Sequence, residues 1–248
     1  MVPFEFLTGR HAPKAPQQML DQVRAVAFDL DNTLWDVAPV IERAEVRLYE
    51  WLREHCPRIP AHVSLDDMRA ARELLAREEP HHAHDFTYLR VTALARHARE
   101  YGYGEEVAHR AFQVFFAARH ELDLFADVRP AFERLRTRYK IASFSNGNAE
   151  VARIGGLGEF FTLSLNARMV GVAKPHPHCF ERLAKDLSLA PGEIIYVGDD
   201  PVLDVEASRA AGMHSAWINR FDLAWPDTLA PADLVLTNCT QLADALGV

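Results

Sequence analysis

Ala25-Val26-Ala27-Phe28-Asp29-Leu30-Asp31-Asn32-Thr33 decides how the rest of the chain is read. Its four leading apolar residues are too few for a helix and end at a polar turn, so they predict a short buried strand. Two carboxylates, two residues apart, then leave that strand's C-terminal end. In open α/β sheets this edge is where ligands bind. One carboxylate can attack a phosphorus atom while the other handles the proton. The plainer alternative is a solvated acidic turn, which Asp and Asn favour.

Working outward, apolar runs of strand length recur after residue 135. They are Ile141–Phe144, Phe161–Leu165, Ile194–Val197, Ser215–Ile218 and Leu234–Leu236. Helical spacing lies between them, with Ala131, Leu135 and Arg138 on one face and Phe180, Leu183, Ala184 and Leu187 on another. Strand, helix, strand at this rhythm predicts an α/β fold, a Rossmann-like parallel sheet flanked by helices. The first strand, residues 24–30, has no helix of the sheet close behind it. The intervening residues 38–119 contain no strand pattern. Ile41, Ala44, Leu48 and Trp51 follow helical spacing, as do Leu65, Met68 and Leu75, then Phe86, Leu89, Ala93 and His97, then Ala108, Ala111, Phe112 and Phe115. Four helices are expected, with breaks near Pro57–Pro60, Pro80 and Gly102–Gly104. An all-helical cap inserted after the first strand would cover the sheet's active edge as a lid. The expected division is a tail at 1–22, a core at 23–36 and 121–248, and a cap at 37–120. Residues 8–18, with two prolines, a glycine and several polar residues, are expected to be poorly ordered.

Composition narrows the function classes. Of 248 residues, 49% are apolar and 25% charged, as in globular proteins that dissolve in water. A net charge of -8 supplies no basic excess for a nucleic-acid backbone. No apolar run reaches membrane-spanning length, and residues 1–20 lack the apolar core of a signal peptide. Cys56, Cys179 and Cys239 are far apart, which fits a reducing cytoplasm with no disulfide framework. A monomer or a homodimer is expected, with no nucleic-acid or membrane partner.

Three further motifs carry chemistry. Ser145-Asn146-Gly147-Asn148 follows a strand and can offer hydroxyl and backbone donors to an anion. Lys174-Pro175 precedes a helix starting near Pro177; this lysine could neutralise a phosphate or clustered carboxylates. Gly198-Asp199-Asp200-Pro201 closes the run 194–197, with Asp204 one turn later. Asp199 or Asp200 could simply cap the helix beginning at Pro201. If the two acid clusters converge, Asp29, Asp31, Asp199 and Asp204 repel one another and any anion. A hard divalent cation removes the conflict, and oxygen ligands suit Mg²⁺.

Acid pair, hydroxyl, lysine and second acid cluster, in this order, resemble the haloacid dehalogenase superfamily of phosphohydrolases. The resemblance covers 23–36 and 121–248, with the helical insert similar to that family's cap. It implies that Asp29 is the nucleophile forming an aspartyl-phosphate and that Asp31 is the general acid, then base. It implies that Thr33 steadies the turn, that Ser145 and Asn146 hold phosphoryl oxygens, and that Lys174 compensates charge. Mg²⁺ would be held by the Asp29 carboxylate, the Asp31 carbonyl and Asp199, with Asp204 behind them. Ser145 stands where many relatives carry Thr.

A narrower resemblance rests on Ser145–Ala149, Gly156–Phe161 and Val197–Asp200, with Glu79-Pro80 and His84–Thr87 in the cap. These look like the bacterial FMN phosphatase branch, whose members also dephosphorylate 5-amino-6-(5-phospho-D-ribitylamino)uracil. The resemblance implies a small phosphorylated metabolite as substrate.

In the cap, His81, His82 and His84 lack the fixed helical spacing of a metal site. One of His84, Asp85, Tyr88 or Arg90 is expected to face the leaving group, with His84 and Tyr88 the chosen substrate residues. The alternative is a capping Asp85 and ordinary packing of Tyr88. Trp35 is expected beside the site or in the core, and Trp225 in a late loop. A dehalogenase on the same scaffold is the competing enzyme. Asp31 argues against it, because the family's dehalogenases need no proton donor there. A phosphomutase would reuse the aspartyl-phosphate, and a silent binding protein would need no nucleophile at all.

Overall fold

The computed structural model describes residues 17–248. The tail expected at 1–22 therefore lies largely outside the described residues. Its described end, Gln17–Leu20, is a short helix (α1), and Leu20 and Val23 are buried in the core.

Strand β1 is Ala25–Phe28, all four residues buried. Burial on both faces is what a continuous apolar run without alternation encodes in a parallel sheet. It is joined by β2 (Lys140–Ser145), β3 (Phe161–Asn166), β4 (Ile194–Gly198), β5 (His214–Ile218) and β6 (Leu234–Leu236). The six strands lie in the order β3-β2-β1-β4-β5-β6, all neighbours parallel. The order reverses at β1, between β2 and β4. In a doubly wound sheet that is where a crevice opens at the strands' C-terminal ends.

Helices fill both faces. Val26 and Phe28 point into one apolar cluster with α6 (Val128–Leu135) and α10 (Cys239–Ala245). Ala25 and Ala27 point into the opposite cluster, with Phe180 and Leu183 of α8 (Pro177–Leu187) and Ala207 of α9 (Ala207–Ala210). A short α7, Ala167–Val170, follows β3. The expected α6 face holds for Ala131 and Leu135 but not for Arg138. The helix ends at Leu135, and Arg138 is exposed in the turn beyond. Trp225 packs edge-on against Trp217, with ring centroids 4.9 Å apart.

Between β1 and α6 run four cap helices, α2 (Val37–His55), α3 (Leu65–Glu78), α4 (Phe86–Glu100) and α5 (Glu106–Arg119). Polar caps start three of them. Asp36 accepts from the Ala38 amide, Ser64 and Asp67 form a reciprocal capping box, and Asp85 accepts from the Tyr88 amide. The cap has its own core, in which Ala44, Leu48 and Leu52 of α2 meet Phe112 and Phe115 of α5.

One buried carboxylate ties three cap helices together. Glu45 of α2 is 2% exposed. Its oxygens accept from Arg69 (2.8 Å) and Arg72 (2.7 Å) of α3, with Arg90 of α4 at 3.3 Å. Burial works to raise the Glu45 pKa, yet Arg90, Arg72 and Arg69 together hold it below the usual carboxylate range. Arg69 is nearly half exposed and adds little. If Glu45 were removed, buried Arg90 and half-buried Arg72 would lose their carboxylate partner. Glu45→Ala is therefore expected to destabilise the protein by about 3 kcal/mol, as breaking buried ion pairs does. Denaturant unfolding measures it, and a loss under about 1 kcal/mol, the worth of a surface pair, would contradict this role.

Candidate active site

The acid motif turns sharply where β1 ends. The Asp29 amide donates to the Val197 carbonyl of β4, the last bond of the strand. Asn32 then takes a left-handed conformation (φ 61°), one that Asn tolerates better than most residues. Its side-chain oxygen accepts from the Val37 amide, at the first residue of α2. The turn carrying Asp31 is thus bonded to the start of the cap.

The predicted residues of the core converge. Asp29, Asp31, Ser145, Asn146, Lys174, Asp199 and Asp204 line one cavity of about 350 Å³. Lys174 Nζ donates to Asp29 Oδ1 (2.6 Å), Asp204 Oδ1 (2.6 Å) and the Tyr196 hydroxyl (3.0 Å). Tyr196 in turn donates to the Phe144 carbonyl. All three bonds are out of water, where charge-assisted hydrogen bonds are strong. Burial opposes the charge on Lys174, but Asp204 and Asp29 outweigh it and hold the lysine well above its ordinary pKa. Burial pushes Asp29 well up, against the pull of Lys174 and with help from Asp204 and Asp199.

The two candidate catalytic carboxylates are each held by one oxygen. Asp29 Oδ1 is on Lys174, and Oδ2 takes no hydrogen bond from the described residues. Asp31 Oδ1 accepts from Trp35 Nε1 (2.8 Å) and Arg119 Nη2 (2.5 Å). Asp31 Oδ2 faces the space beside Gly147, where a Cβ would stand only 2.6 Å away. Glycine here keeps the approach to Asp31 open. Trp35 is fully buried and bonded to the site, so core packing and site support coincide in it.

The second acid cluster divides into two roles. Both Asp204 oxygens are engaged, Oδ1 on Lys174 and Oδ2 accepting from the Asp200 amide. Asp204 packs so tightly under Gly198 that a Cβ there would overlap its carboxylate. Asp200 caps the π-helical turn Pro201–Glu206 by accepting from the Val202 and Leu203 amides. Among the described residues the Asp199 carboxylate accepts only a long 3.3 Å bond, from Thr33 Oγ1. Burial, then Asp204, pushes its carboxyl up to about 7.

Carboxylate oxygens of Asp29, Asp199 and Asp204 come within 4.8 Å of one another. Among the described residues Lys174 is the one cation bonded to this group, so three carboxylates face a single ammonium. The residue set fits a hard divalent cation. It offers oxygen donors alone and an excess of negative charge that burial makes costly.

Other expectations shift. The Asn146 side chain spans the Lys174 backbone, accepting from its amide (2.8 Å) and donating to its carbonyl (3.0 Å). Placing the lysine in this way uses the side chain's oxygen and one of its two N–H donors. His84 and Tyr88 do not line the catalytic cavity; from the cap, Val37, Ile41, Phe86 and Arg119 do. Asp85 caps α4. Phe86 faces the site, and Tyr88, two residues on, faces a different cavity and donates to Glu79 (2.6 Å). Glu79, His81 and His82 bring donor atoms within 4.8 Å, but both Glu79 oxygens are taken, by Tyr88 and Arg96.

Tyr196 and Arg119 were not anticipated. Tyr196 is the only polar side chain in a buried strand, a signal that was available. Arg119 is 1% exposed at the end of α5, and its Nε and Nη1 have no partner among the described residues. Its bond to Asp31 spans 88 positions, and no local pattern announces it.

Residues 23–212 match the family described as haloacid dehalogenase-like hydrolase. The chain is 30% identical over 203 residues to the 5-amino-6-(5-phospho-D-ribitylamino)uracil phosphatase YigB of Escherichia coli (strain K12), covering 80% of this chain and 84% of that one. It is 32% identical over 154 residues to the phosphoserine phosphatase of Thermus thermophilus, covering 59% and 61%. A crystal structure of a 2-haloacid dehalogenase from Pseudomonas syringae pv. Tomato DC3000 superposes with a TM-score of 0.85 at 33% identity, covering 90% of this chain and 98% of that one. Among the described residues no helix is long and apolar enough to cross a membrane.

Proposed function

This chain belongs to the haloacid dehalogenase-like hydrolases, and on that premise we propose that it is a Mg²⁺-dependent phosphomonoesterase working through an aspartyl-phosphate. FMN or 5-amino-6-(5-phospho-D-ribitylamino)uracil is the proposed substrate. The observation that supports this reading best is the pair Asp29 and Asp31, each with one oxygen anchored and the other left for chemistry.

In this reading Asp29 attacks phosphorus as the bond to the leaving oxygen breaks, and Asp31 gives that oxygen its proton. Asp31, now a carboxylate, takes a proton from water. The water oxygen attacks phosphorus, the bond to Asp29 breaks, and inorganic phosphate departs. Lys174 keeps Asp29 oriented throughout. Asp29, the Asp31 carbonyl and Asp199 would hold Mg²⁺, with Asp204 orienting Lys174 behind them. The ion would supply positive charge to the phosphoryl oxygens. A core over 23–36 and 121–248 and a cap over 37–120 belong to the same proposal. So does a cytoplasmic location, which the free, buried cysteines suit.

Similarity to a 2-haloacid dehalogenase supports a second reading, in which Asp29 displaces a halide. The anchored Asp31 favours the phosphatase, since halide needs no proton to leave. Asp31→Asn is expected to slow phosphate release by roughly 10²–10⁴-fold, the usual worth of an acid–base group. The loss should shrink for a nitrophenyl ester, whose leaving group needs little protonation. Equal losses for nitrophenyl and alkyl phosphates would contradict the acid role.

Substrate is tested by kcat/KM for FMN, the ribitylaminouracil phosphate, a nucleoside monophosphate and phosphoglycolate under one condition. The first two are expected to lead. If both trail the others by more than about tenfold, some 1.4 kcal/mol of transition-state preference, the riboflavin-related assignment fails. Chloride release from 2-chloropropionate without phosphate release from any ester would move the reaction to dehalogenation.

A further inference from the structure

A second cavity, of about 370 Å³, adjoins the catalytic one, and the cap supplies all of its lining except Asn148. Ile41, Phe86 and Asn148 belong to both cavities, so a ligand in one reaches the other. Its wall has two characters. Phe86, Leu89 and Phe115 are apolar, and Phe86 is 49% exposed, a large apolar surface left uncovered at the junction. Arg72 and Arg90 are cationic, with the Arg90 guanidinium 3.6 Å from the Phe115 ring centre.

The charge there is incompletely balanced. Arg69, Arg72 and Arg90 share Glu45, and the other carboxylate bonded to the group is Asp66, on Arg69. Glu73 lies at the rim, exposed, and pairs with Arg77 at 3.6 Å. Burial, with Arg72 adding to it, brings Arg90 down to about 9. An acceptor from a ligand would relieve that cost.

On the phosphomonoesterase reading, we propose that this cavity is the leaving-group pocket and that it selects esters whose leaving group carries a flat ring with a carbonyl-rich edge. The ring lies against Phe86 and Leu89, and the carbonyl oxygens accept from Arg72 and Arg90. Ligand pockets typically span roughly 300–1,000 Å³, so this one is sized for a ring system. A three-carbon leaving group would leave most of it unfilled and both arginines unaddressed.

The test separates binding from turnover. Riboflavin and 5-amino-6-(D-ribitylamino)uracil carry the ring edge without phosphate, one tricyclic and one monocyclic. Each is titrated into the wild-type protein, Arg72→Gln and Phe86→Ser, with ribitol as the ringless control. Phe86 is exposed, so its variant folds even if the arginine variant does not. At least one ring compound is expected to bind more tightly than ribitol, and both variants to weaken it by about tenfold or more, as loss of an anchor in a binding pocket does. The compound that binds identifies which ring the pocket fits. Absence of binding by both, or affinities unchanged in Phe86→Ser and in folded Arg72→Gln, would overturn the proposal. Binding that depends on these residues without phosphate release from FMN, the ribitylaminouracil phosphate or any other ester tested would instead retire the phosphatase reading and leave the pocket standing.

Discussion

Asp29→Asn is expected to lower phosphate release by at least about 10⁴-fold, since removing a nucleophile leaves only the residual effect of binding and electrostatics. An amide of the same shape cannot form the acyl-phosphate bond. Stability should move the other way or hardly at all. Burial raises the Asp29 pKa well above its ordinary value, so the ionised form is a burden to the folded state at neutral pH. A neutral amide lifts that burden. Lys174 keeps Asp204 and Tyr196 as partners, so it is not left alone in the interior. The purified variant should therefore melt within a few degrees of wild type while releasing no phosphate above background. Near-normal turnover by folded Asp29→Asn would end this mechanism. A variant that fails to fold would contradict the claim that the acid serves chemistry at the expense of stability.

How much of this was readable in the chain follows from the range of each interaction. All six strands were legible because each is a short run rich in apolar residues and closed by a turn; β1 and β4, at the centre, are buried on both faces, while the edge strands β3 and β6 are partly exposed. The site residues of the core were legible for a related reason. Asp29, Ser145 and Asp199 each stand at or just beyond a strand's C-terminal end, and a parallel sheet brings those ends together. Cap directions were not legible. A helix turns about 100° per residue, so Phe86 and Tyr88 face different cavities, and which one faces the site is set by how α4 packs within the cap. Side-chain commitments were hidden too. Asn146 is spent on the Lys174 backbone and Arg119 on Asp31, across 28 and 88 positions. Such pairs are set by tertiary packing, between two loops of the core for Asn146 and between cap and core for Arg119, which no local pattern states. The π-helical turn at Pro201–Glu206 was readable only as a helix start.

Removal of divalent metal is expected to abolish activity, and Mg²⁺ to restore it. Asp199→Ala should weaken the metal response more than Asp204→Ala. Among the described residues the Asp199 carboxylate has only one long bond, to Thr33, whereas both Asp204 oxygens are already taken by Lys174 and the Asp200 amide. Thermal melting gives a readout independent of turnover. With a native pKa of about 7 against 3.8 for the free side chain, Asp199 holds its proton in the folded state where the unfolded chain has released it. Between those two values the native state binds more protons, so this group's contribution to stability falls as pH rises through the window. Metal competes with that proton. Mg²⁺ should therefore raise the melting temperature clearly at pH 8, where the carboxylate is free, and little at pH 5. Asp199→Asn should flatten both the loss with pH and the response to Mg²⁺. Equal stabilisation by Mg²⁺ at the two pH values, or full activity after metal stripping, would show that the acid cluster does not hold the ion.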